Sequence, residues 1–252
     1  MILRLASCLI ALLWSEPAYS GAWPRGKGHG FLSVSHEETV RQDDAEAALG
    51  MGGALEEEPE IFSFSSVYAE IGLTDRITLG LDAGQDHGPD TNQAILFASL
   101  NVTPAEWRHQ IALEFGIGQR EYPADSFDAA NLADLREAGT ELVLRPGISW
   151  GTGFPTRFGN GWIAVDARLV MRQTHGDRIP KIDTTIGIAP GPRSLAYLQL
   201  QYSDYPDNPP NYRLVPTYVF RPFDWLALET AILWDAEGGD RMGLRAGLWL
   251  EF

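Results

Sequence analysis

The chain repeats one pattern of apolar and polar positions along most of its length, and its last twelve residues show the pattern most clearly. Apolar side chains occupy every second position there: Met242, Leu244, Ala246, Leu248 and Leu250. Small or charged residues fill most of the positions between them. A period of two is the pattern of a β-strand, because successive side chains point to opposite faces. An unbroken apolar face opposite a charged one is typical of a strand that separates lipid from a polar interior.

The same alternation recurs in eleven further segments, and it is strictest in residues 77–84, where no position breaks it. The pattern predicts strands at residues 30–35, 61–72, 77–84, 92–102, 111–118, 141–150, 162–172, 181–188, 196–203, 213–220, 226–234 and 241–252. The first of these strands is the shortest and least regular. Pro146 and Pro216 predict β-bulges within their strands, because proline cannot donate a hydrogen bond to the ladder.

Two kinds of connection alternate between these strands. Short connections cover residues 73–76, 103–107, 190–194 and 221–225, and longer, more acidic ones cover 37–60, 85–91, 120–139, 173–180, 204–211 and 235–240. Outer-membrane barrels have short periplasmic turns and longer external loops, so the acidic set should face outward. Residues 151–161 form a connection that is too long for the turn expected there. The pattern predicts an all-β fold, a single antiparallel up-and-down transmembrane β-barrel of about 12 strands, with roughly 10 to 14 possible.

Aromatic residues near the strand ends support this orientation, because aromatic girdles mark both interfaces of a membrane barrel. The residues expected at the short-turn ends are Trp107, Trp150, Phe154, Phe158, Trp162, Phe220, Phe223, Trp225 and Phe252. A thinner outer girdle is expected from Tyr202, Tyr205, Tyr212 and Trp234.

Residues 68–80 read YAEIGLTDRITLG, which resembles a hairpin that recurs in outer-membrane transporter barrels, including the phenol-degradation-associated type. The terminal strand, which ends on Phe252, is similar to the last strand of Gram-negative outer-membrane barrels. The resemblance implies a location in the cell outer membrane, with outer-membrane lipid and the outer-membrane assembly machinery as partners. It also implies that Phe252 is the assembly signal, and it supports the class without naming a substrate.

The N-terminus has the three-part layout of a secretory signal peptide. Arg4 precedes an apolar run at residues 8–14, and small residues follow at 18–20, which predicts cleavage near Ser20. A buried first helix is the alternative. Residues 5–8, which end on the only cysteine, Cys8, look like a lipoprotein box, but they come before the apolar region instead of after it, which argues against lipidation. Removal of the signal peptide would leave the chain without a disulfide.

These observations predict three parts of the chain. Residues 1–20 form the signal peptide, residues 21–29 a periplasmic segment through which the chain enters the barrel, and residues 30–252 the transmembrane β-barrel. After the N-terminus, no apolar stretch reaches the roughly 18 residues that a membrane-spanning helix needs. Helical membrane spanning is therefore excluded by length.

The inward faces of the predicted strands carry as many acidic as basic residues. The acidic ones are Glu70, Asp82, Glu114, Glu141, Asp166, Asp183, Glu229 and Glu251, and the basic ones are Arg120, Arg145, Arg168, Arg172, Lys181, Arg213, Arg241 and Arg245. Charges inside a barrel persist mainly when they are paired or hydrated. The balance therefore predicts either salt-bridge ladders or a water-filled pore, and the many inward glycines favour a narrow hydrated channel over a plugged barrel. Glu229 is the expected partner of Arg241 and Arg245.

Catalytic chemistry has weaker support in the sequence. His87 and His175 lie beside carboxylates in predicted outer loops, where a histidine could serve as general base. Neither is accompanied by a convincing serine nucleophile at an inward strand position. Calcium binding by Asp204, Asp207 and Asn208 is chemically allowed, but no ligand spacing supports it. The sequence shows no zinc, phosphate-loop or dinucleotide motif, so no catalytic residue, metal ligand or cofactor is assigned.

The net charge of -15 argues against nucleic-acid partners. Nine of the acidic residues lie between positions 37 and 60, in a predicted outer loop. The leading hypothesis is a non-enzymatic outer-membrane barrel that forms a narrow channel for small solutes, with an acidic mouth that mildly favours cations. The alternatives are a barrel hydrolase with a rim histidine and aspartate, a non-conducting structural or adhesive barrel, and a soluble β-sandwich.

Overall fold

The computed structural model describes residues 21–51, 58–87, 92–122, 139–206 and 208–252. These residues form a closed barrel of twelve antiparallel strands, which confirms the predicted fold class. The strands are β1 (Gly30–Arg41), β2 (Phe62–Gly72), β3 (Ile77–Asp86), β4 (Gln93–Asn101), β5 (His109–Tyr122), β6 (Gly139–Thr156), β7 (Gly159–Arg172), β8 (Arg178–Gly191), β9 (Ser194–Ser203), β10 (Asn211–Phe223), β11 (Leu226–Glu237) and β12 (Arg241–Glu251). A short helix, α1 (Gln42–Ala48), follows β1.

The predicted signal peptide, most of loop 120–139, residues 88–91 and Asp207 lie outside the described residues. Each described strand pairs with its neighbours along the chain, and β1 pairs with β12. Both β1 and β12 therefore lose their free edges, and no strand of the described barrel is left with unpaired backbone on one side. Among the described residues, no helix combines the length and apolar character that crossing a bilayer demands.

The predicted length of the first strand was wrong. β1 runs to Arg41 and stays in register with β12 from Phe31, opposite Glu251, to Arg41, opposite Arg241. Residues 37–41 therefore belong to the wall, and α1 occupies part of the predicted acidic loop 37–60. The reason is that β1 must pair with β12 to close the barrel, and a β1 of six residues would leave half of the β12 edge unpaired.

Residues 151–161 do not form a connection, which corrects a second prediction. β6 continues to Thr156 and β7 begins at Gly159, so that Arg157 and Phe158 alone join them. The two strands pair without interruption from Gly151, opposite Ala164, to the end of the hairpin. Glycine and proline suggested a turn, but cross-strand pairing determines the structure of this segment.

The β-bulges predicted at Pro146 and Pro216 are also absent. Pro146 stays in register with β5, and Pro216 stays in register with β9. Towards the other neighbouring strand, β7 for Pro146 and β11 for Pro216, two consecutive residues are unpaired. The register between the two strands is the same before and after these unpaired residues. Proline therefore removes pairing towards one neighbour without inserting a residue. A register shift does occur elsewhere in β10, between Phe220 and Phe223.

The outer wall carries the predicted alternation of exposed apolar side chains. Leu96 is 63% exposed and Leu244 is 65% exposed, whereas the inward Ile95 is buried. Two aromatic residues do not belong to the girdles to which they were assigned. Trp162 is only 6% exposed inside the barrel, and Tyr205 packs against a buried apolar cluster.

Candidate functional site

One side of the lumen carries a continuous chain of alternating charges, here called the first ladder. It contains Asp82, Arg145, Glu114, Arg168 and Asp183, from β3, β6, β5, β7 and β8. Arg145 pairs with Asp82 and donates from Nε to Glu114 Oε1 at 3.1 Å. Arg168 Nε lies 3.2 Å from the same Glu114 oxygen, and its Nη1 lies 3.7 Å from Asp183 Oδ2.

A second ladder lies on the opposite side, on β1, β10, β11 and β12. It runs from Glu229 through Arg245, Glu37 and Arg213 to Asp235. Arg245 Nη1 lies 3.6 Å from Glu229 Oε1, and its Nη2 lies 2.6 Å from Glu37 Oε1. Arg213 Nη1 lies 3.9 Å from Glu37 Oε2, while its Nε donates to Asp235 Oδ1 at 2.6 Å.

Each ladder contains three carboxylates and two guanidinium groups. The alternation matters because most of these charges are shielded from water: the side chains of Arg145 and Glu114 are each only 5% exposed. A buried charge without a partner costs several kcal/mol, and a partner with good geometry offsets that cost. The ladders therefore stabilise a polar interior and hold opposite charges facing the lumen at fixed positions.

The other predicted lumen charges have separate surroundings. Glu70 pairs with Arg25 and accepts a hydrogen bond from the Tyr68 hydroxyl at 2.6 Å. Glu141 pairs with Arg172 and lies 2.9 Å from His175 Nδ1.

Arg241 does not pair with Glu229 as expected, because its guanidinium lies over the Phe62 ring at 3.8 Å. Glu251, near the opposite end of β12, accepts from Arg221 Nη2 at 3.3 Å.

Lys181 lies beneath the loop between β9 and β10, with Nζ 5.6 Å from the centre of the Tyr205 ring. Burial opposes ionisation of the Tyr205 hydroxyl, but Lys181 and Arg120 outweigh it and lower its pKa. Within the described part of the chain, no carboxylate lies within 4 Å of Lys181 Nζ. Lys181 is thus a cation at the loop end that can meet an incoming solute.

A cavity of about 540 Å³ opens at the long-loop end of the barrel, here called the vestibule. Its walls come from the first residues of β8, β10 and β12, the last residues of β9 and β11, and the two loops above them. The charged residues that line it are Lys181, Asp183, Arg213, Asp235, Asp240 and Arg241. The vestibule is large enough for a small solute and offers it both signs of charge.

The short-turn half of the lumen is packed with apolar side chains, here called the inner constriction. Its buried members are Phe31, Trp162, Ala164, Leu195, Val219, Ala227 and Trp249, and Trp23, Tyr68, Ala189 and Tyr197 pack against them. Trp249 also donates from Nε1 to Glu229 Oε2 at 2.7 Å, which joins the constriction to the second ladder. The lumen therefore narrows from a polar vestibule to an aromatic layer.

Residues 21–26 lie inside the barrel and contribute to that narrowing, whereas residues 27–29 are exposed. The Ala22 carbonyl accepts from Asn101 Nδ2 at 2.8 Å, and the indole of Trp23 occupies the space that a side chain at Gly151 would fill. Arg25 donates its backbone N–H to Thr78 Oγ1 at 3.2 Å. The segment thus follows the inner wall across the strands from β6 back to β2.

Several residues that build the site escaped the sequence prediction. Glu37 and Asp235 were assigned to loops, Arg221 to a turn and Arg25 to the segment outside the barrel. A signal for Glu37 was present, because it continues the inward period of Phe31 along β1. Its position opposite Arg245 follows once β1 and β12 are taken to close the barrel.

An outward-facing cluster near the long-loop end brings together residues that the lumen does not use. Ser65 Oγ lies 2.9 Å from His36 Nδ1 and 2.8 Å from His87 Nε2. Glu38 Oε1 lies 3.6 Å from the other nitrogen of His36, Nε2. His87, predicted as a candidate base, therefore meets a serine on the outer face, while His175 contacts Glu141. Among the described residues, no histidine, cysteine or acidic cluster has the make-up of a metal site.

No protein-family model and no curated protein matches the chain. Solved structures do share its fold. An outer membrane channel from Pseudomonas putida F1 has a TM-score of 0.58 at 12% identity, over 94% of this chain and 100% of that one. The KdgM porin has a TM-score of 0.55 at 8% identity, over 87% of this chain and 99% of that one.

LpxR from Salmonella typhimurium is a further neighbour, with a TM-score of 0.51 at 12% identity, over 87% of this chain and 99% of that one. The fold is therefore the one found in outer-membrane β-barrels, and at these identities the likeness shows the fold alone.

Proposed function

We propose that this protein is a narrow outer-membrane channel for small polar solutes. The observation that carries the proposal is the vestibule of about 540 Å³, which lies at the long-loop end of a closed barrel and opens between the two charge ladders. Two of the structures that share this fold are described as a porin and an outer membrane channel. The inner constriction would set the upper size of a permeating solute.

The location follows from the same proposal. A cleaved signal peptide at residues 1–20 would export the chain, and the terminal strand ending on Phe252 would be recognised by the outer-membrane assembly machinery. Its apolar outer wall would then contact lipid. The KdgM porin has also been solved in complex with disordered oligogalacturonate, at a TM-score of 0.56, 8% identity and coverage of 87% of this chain and 99% of that one. For this chain the matching expectation is passage of small solutes that carry polar or charged groups.

Planar-bilayer recording of the refolded protein tests the channel. We expect small, discrete conductance steps, and in a potassium chloride gradient we expect a reversal potential that mildly favours potassium. The reason is the acidic long-loop end, where α1 contributes Asp43, Asp44 and Glu46. The preference should weaken as salt screens these exposed charges. Heat-unfolded protein is the control, and a sealed membrane at every voltage would contradict the proposal.

The cluster around Ser65 supports a second candidate function, hydrolysis of an ester at the outer face. A serine is activated for acyl transfer when its hydroxyl contacts one nitrogen of an imidazole and a carboxylate contacts the other nitrogen of the same ring. His36 and Ser65 are cross-strand partners on β1 and β2, and Glu38 lies on the same face. The outward face at this level would meet ester lipids of the outer leaflet.

A fluorophosphonate probe distinguishes this candidate from the channel. If Ser65 is a nucleophile, mass spectrometry should find the probe on the peptide that contains it, and Ser65→Ala or His36→Ala should abolish labelling and hydrolysis of a short-chain ester. Ser63→Ala, on the same face of β2, is the matched control and should label normally. A wild-type protein that neither labels nor hydrolyses the ester excludes the hydrolase.

A further inference from the structure

Asp166 is a buried carboxylate that has no salt-bridge partner among the described residues. It lies on the inward face of β7, is 7% exposed, and its Oδ1 accepts no hydrogen bond. Its cross-strand partner on β8 is another carboxylate, Asp183, and Arg168 pairs with Asp183 and Glu114. Within the described part of the chain, no lysine, arginine or histidine nitrogen lies within 4 Å of Asp166. A carboxylate in this position is costly unless a positive group binds it.

The chain segment closest to that oxygen is Gly21. A Cβ added to Gly21 would lie 2.9 Å from Asp166 Oδ1 and 2.8 Å from Ser149 Oγ. The backbone nitrogen of Gly21 is bonded to the same α-carbon, and in a chain that starts at Gly21 a rotation of about 120° about the Cα–C bond places the terminal amine at that point without moving the rest of the segment. Within a longer chain this nitrogen is an uncharged amide. At the start of a chain it is an ammonium group with three donors, because an α-amine is largely protonated at neutral pH.

We propose that cleavage between Ser20 and Gly21 frees an α-ammonium that binds Asp166 inside the lumen, with Ser149 Oγ as a second acceptor. Ala18 and Ser20 supply the small residues that a signal peptidase requires before the cut. The ion pair gives the Asp166 carboxylate a directly contacting cation. It also fixes the free end of residues 21–29, which is held further along by contacts that include those of Trp23 with the inner constriction and of Arg25 with Glu70.

This inference rests on the proposed function, because the anchored segment narrows the channel, but it is tested without recording current. The protein is purified from outer membranes as the cell processes it, and its N-terminus is sequenced. We expect Gly21 as the first residue. The folded protein is then treated with acetic anhydride at neutral pH, and mass spectrometry of the N-terminal peptide gives the acetylation rate of the α-amine. Asp166→Asn should raise that rate about tenfold, because an ion-paired ammonium must lose its proton before it reacts.

Asp224→Asn is the matched control, since Asp224 is exposed at a turn and should leave the rate unchanged. A second variant keeps Asp166 and therefore tests the ion pair even if the Asp166→Asn protein does not fold. One glycine inserted between Ser20 and Gly21 keeps the carboxylate but displaces the ammonium by about 3.8 Å, and should also raise the rate. Folding of every variant is checked by heat-modifiable gel mobility.

A different first residue, or equal rates in wild type and in the variants that fold, would overturn the inference. Because acetylation needs no ion flow, a protected amine in a non-conducting protein would support the ion pair and contradict only the channel. A conducting protein whose amine is not protected would support the channel and contradict the ion pair.

Discussion

Replacement of Trp23 by alanine is expected to raise the single-channel conductance by about twofold or more, because the indole is the largest side chain that residues 21–26 place in the lumen. The ring covers Gly151 on β6 and packs against the inner constriction. Its removal leaves the barrel wall intact, since Trp23 contributes no ladder hydrogen bond. The widened passage should be seen as larger current steps in planar bilayers and as faster uptake of larger neutral solutes.

Trp225→Ala is the matched control for this experiment. Trp225 lies at the turn between β10 and β11 and is 56% exposed, so its loss changes the same amount of aromatic surface without changing the lumen. Wild-type conductance in Trp23→Ala would show that current bypasses the constriction or that another part of the barrel limits it. Larger steps in both variants would indicate a general loosening of the barrel.

The wall of this barrel could be predicted from the sequence because apolar side chains on its outer face alternate with small and polar residues on its inner face, which gives a period of two. Residues 77–84 show the principle, since every apolar position of that segment faces outward in β3. The predicted strand ends were wrong where they were placed by the local amino-acid composition and not by the alternation of apolar and polar positions. Residues 37–41 were judged from nearby acidic residues, and residues 151–156 from glycine and proline, although both continue strands.

The arrangement of the lumen was harder to predict, because it depends on which strands face each other across the barrel. Glu37 and Arg245 are 208 residues apart and meet only because β1 closes on β12. Arg145 reaches Asp82 on β3, which is not a neighbouring strand. Alternation predicts that such side chains point inward, but it gives neither their partners nor the path of residues 21–26 inside the barrel. The vestibule and the inner constriction therefore required the structure.

Replacement of Arg145 by methionine is expected to destabilise the barrel by about 3–5 kcal/mol, the usual cost of removing one partner of a buried ion pair. Arg145 is the link between Asp82 and Glu114, and its side chain is 5% exposed. Methionine fills much of the same volume but offers no charge. Asp82 would then lose its only ion-pair partner among the described residues, while Glu114 would keep Arg168. Urea titration of the protein in lipid vesicles, read by heat-modifiable gel mobility, measures the change.

The difference between Asp82 and Glu114 makes the prediction specific. Asp82→Asn in the Arg145→Met background removes the carboxylate that the first substitution left without a cation, so it should recover about half or more of the lost stability. Arg157→Met is the control, because the Arg157 guanidinium lies over an exposed Phe158 ring at 4.4 Å and should contribute little. Equal stability of wild type and Arg145→Met would mean that water, rather than the ladder, neutralises these carboxylates. The interior would then be a hydrated pore and not a network of ion pairs.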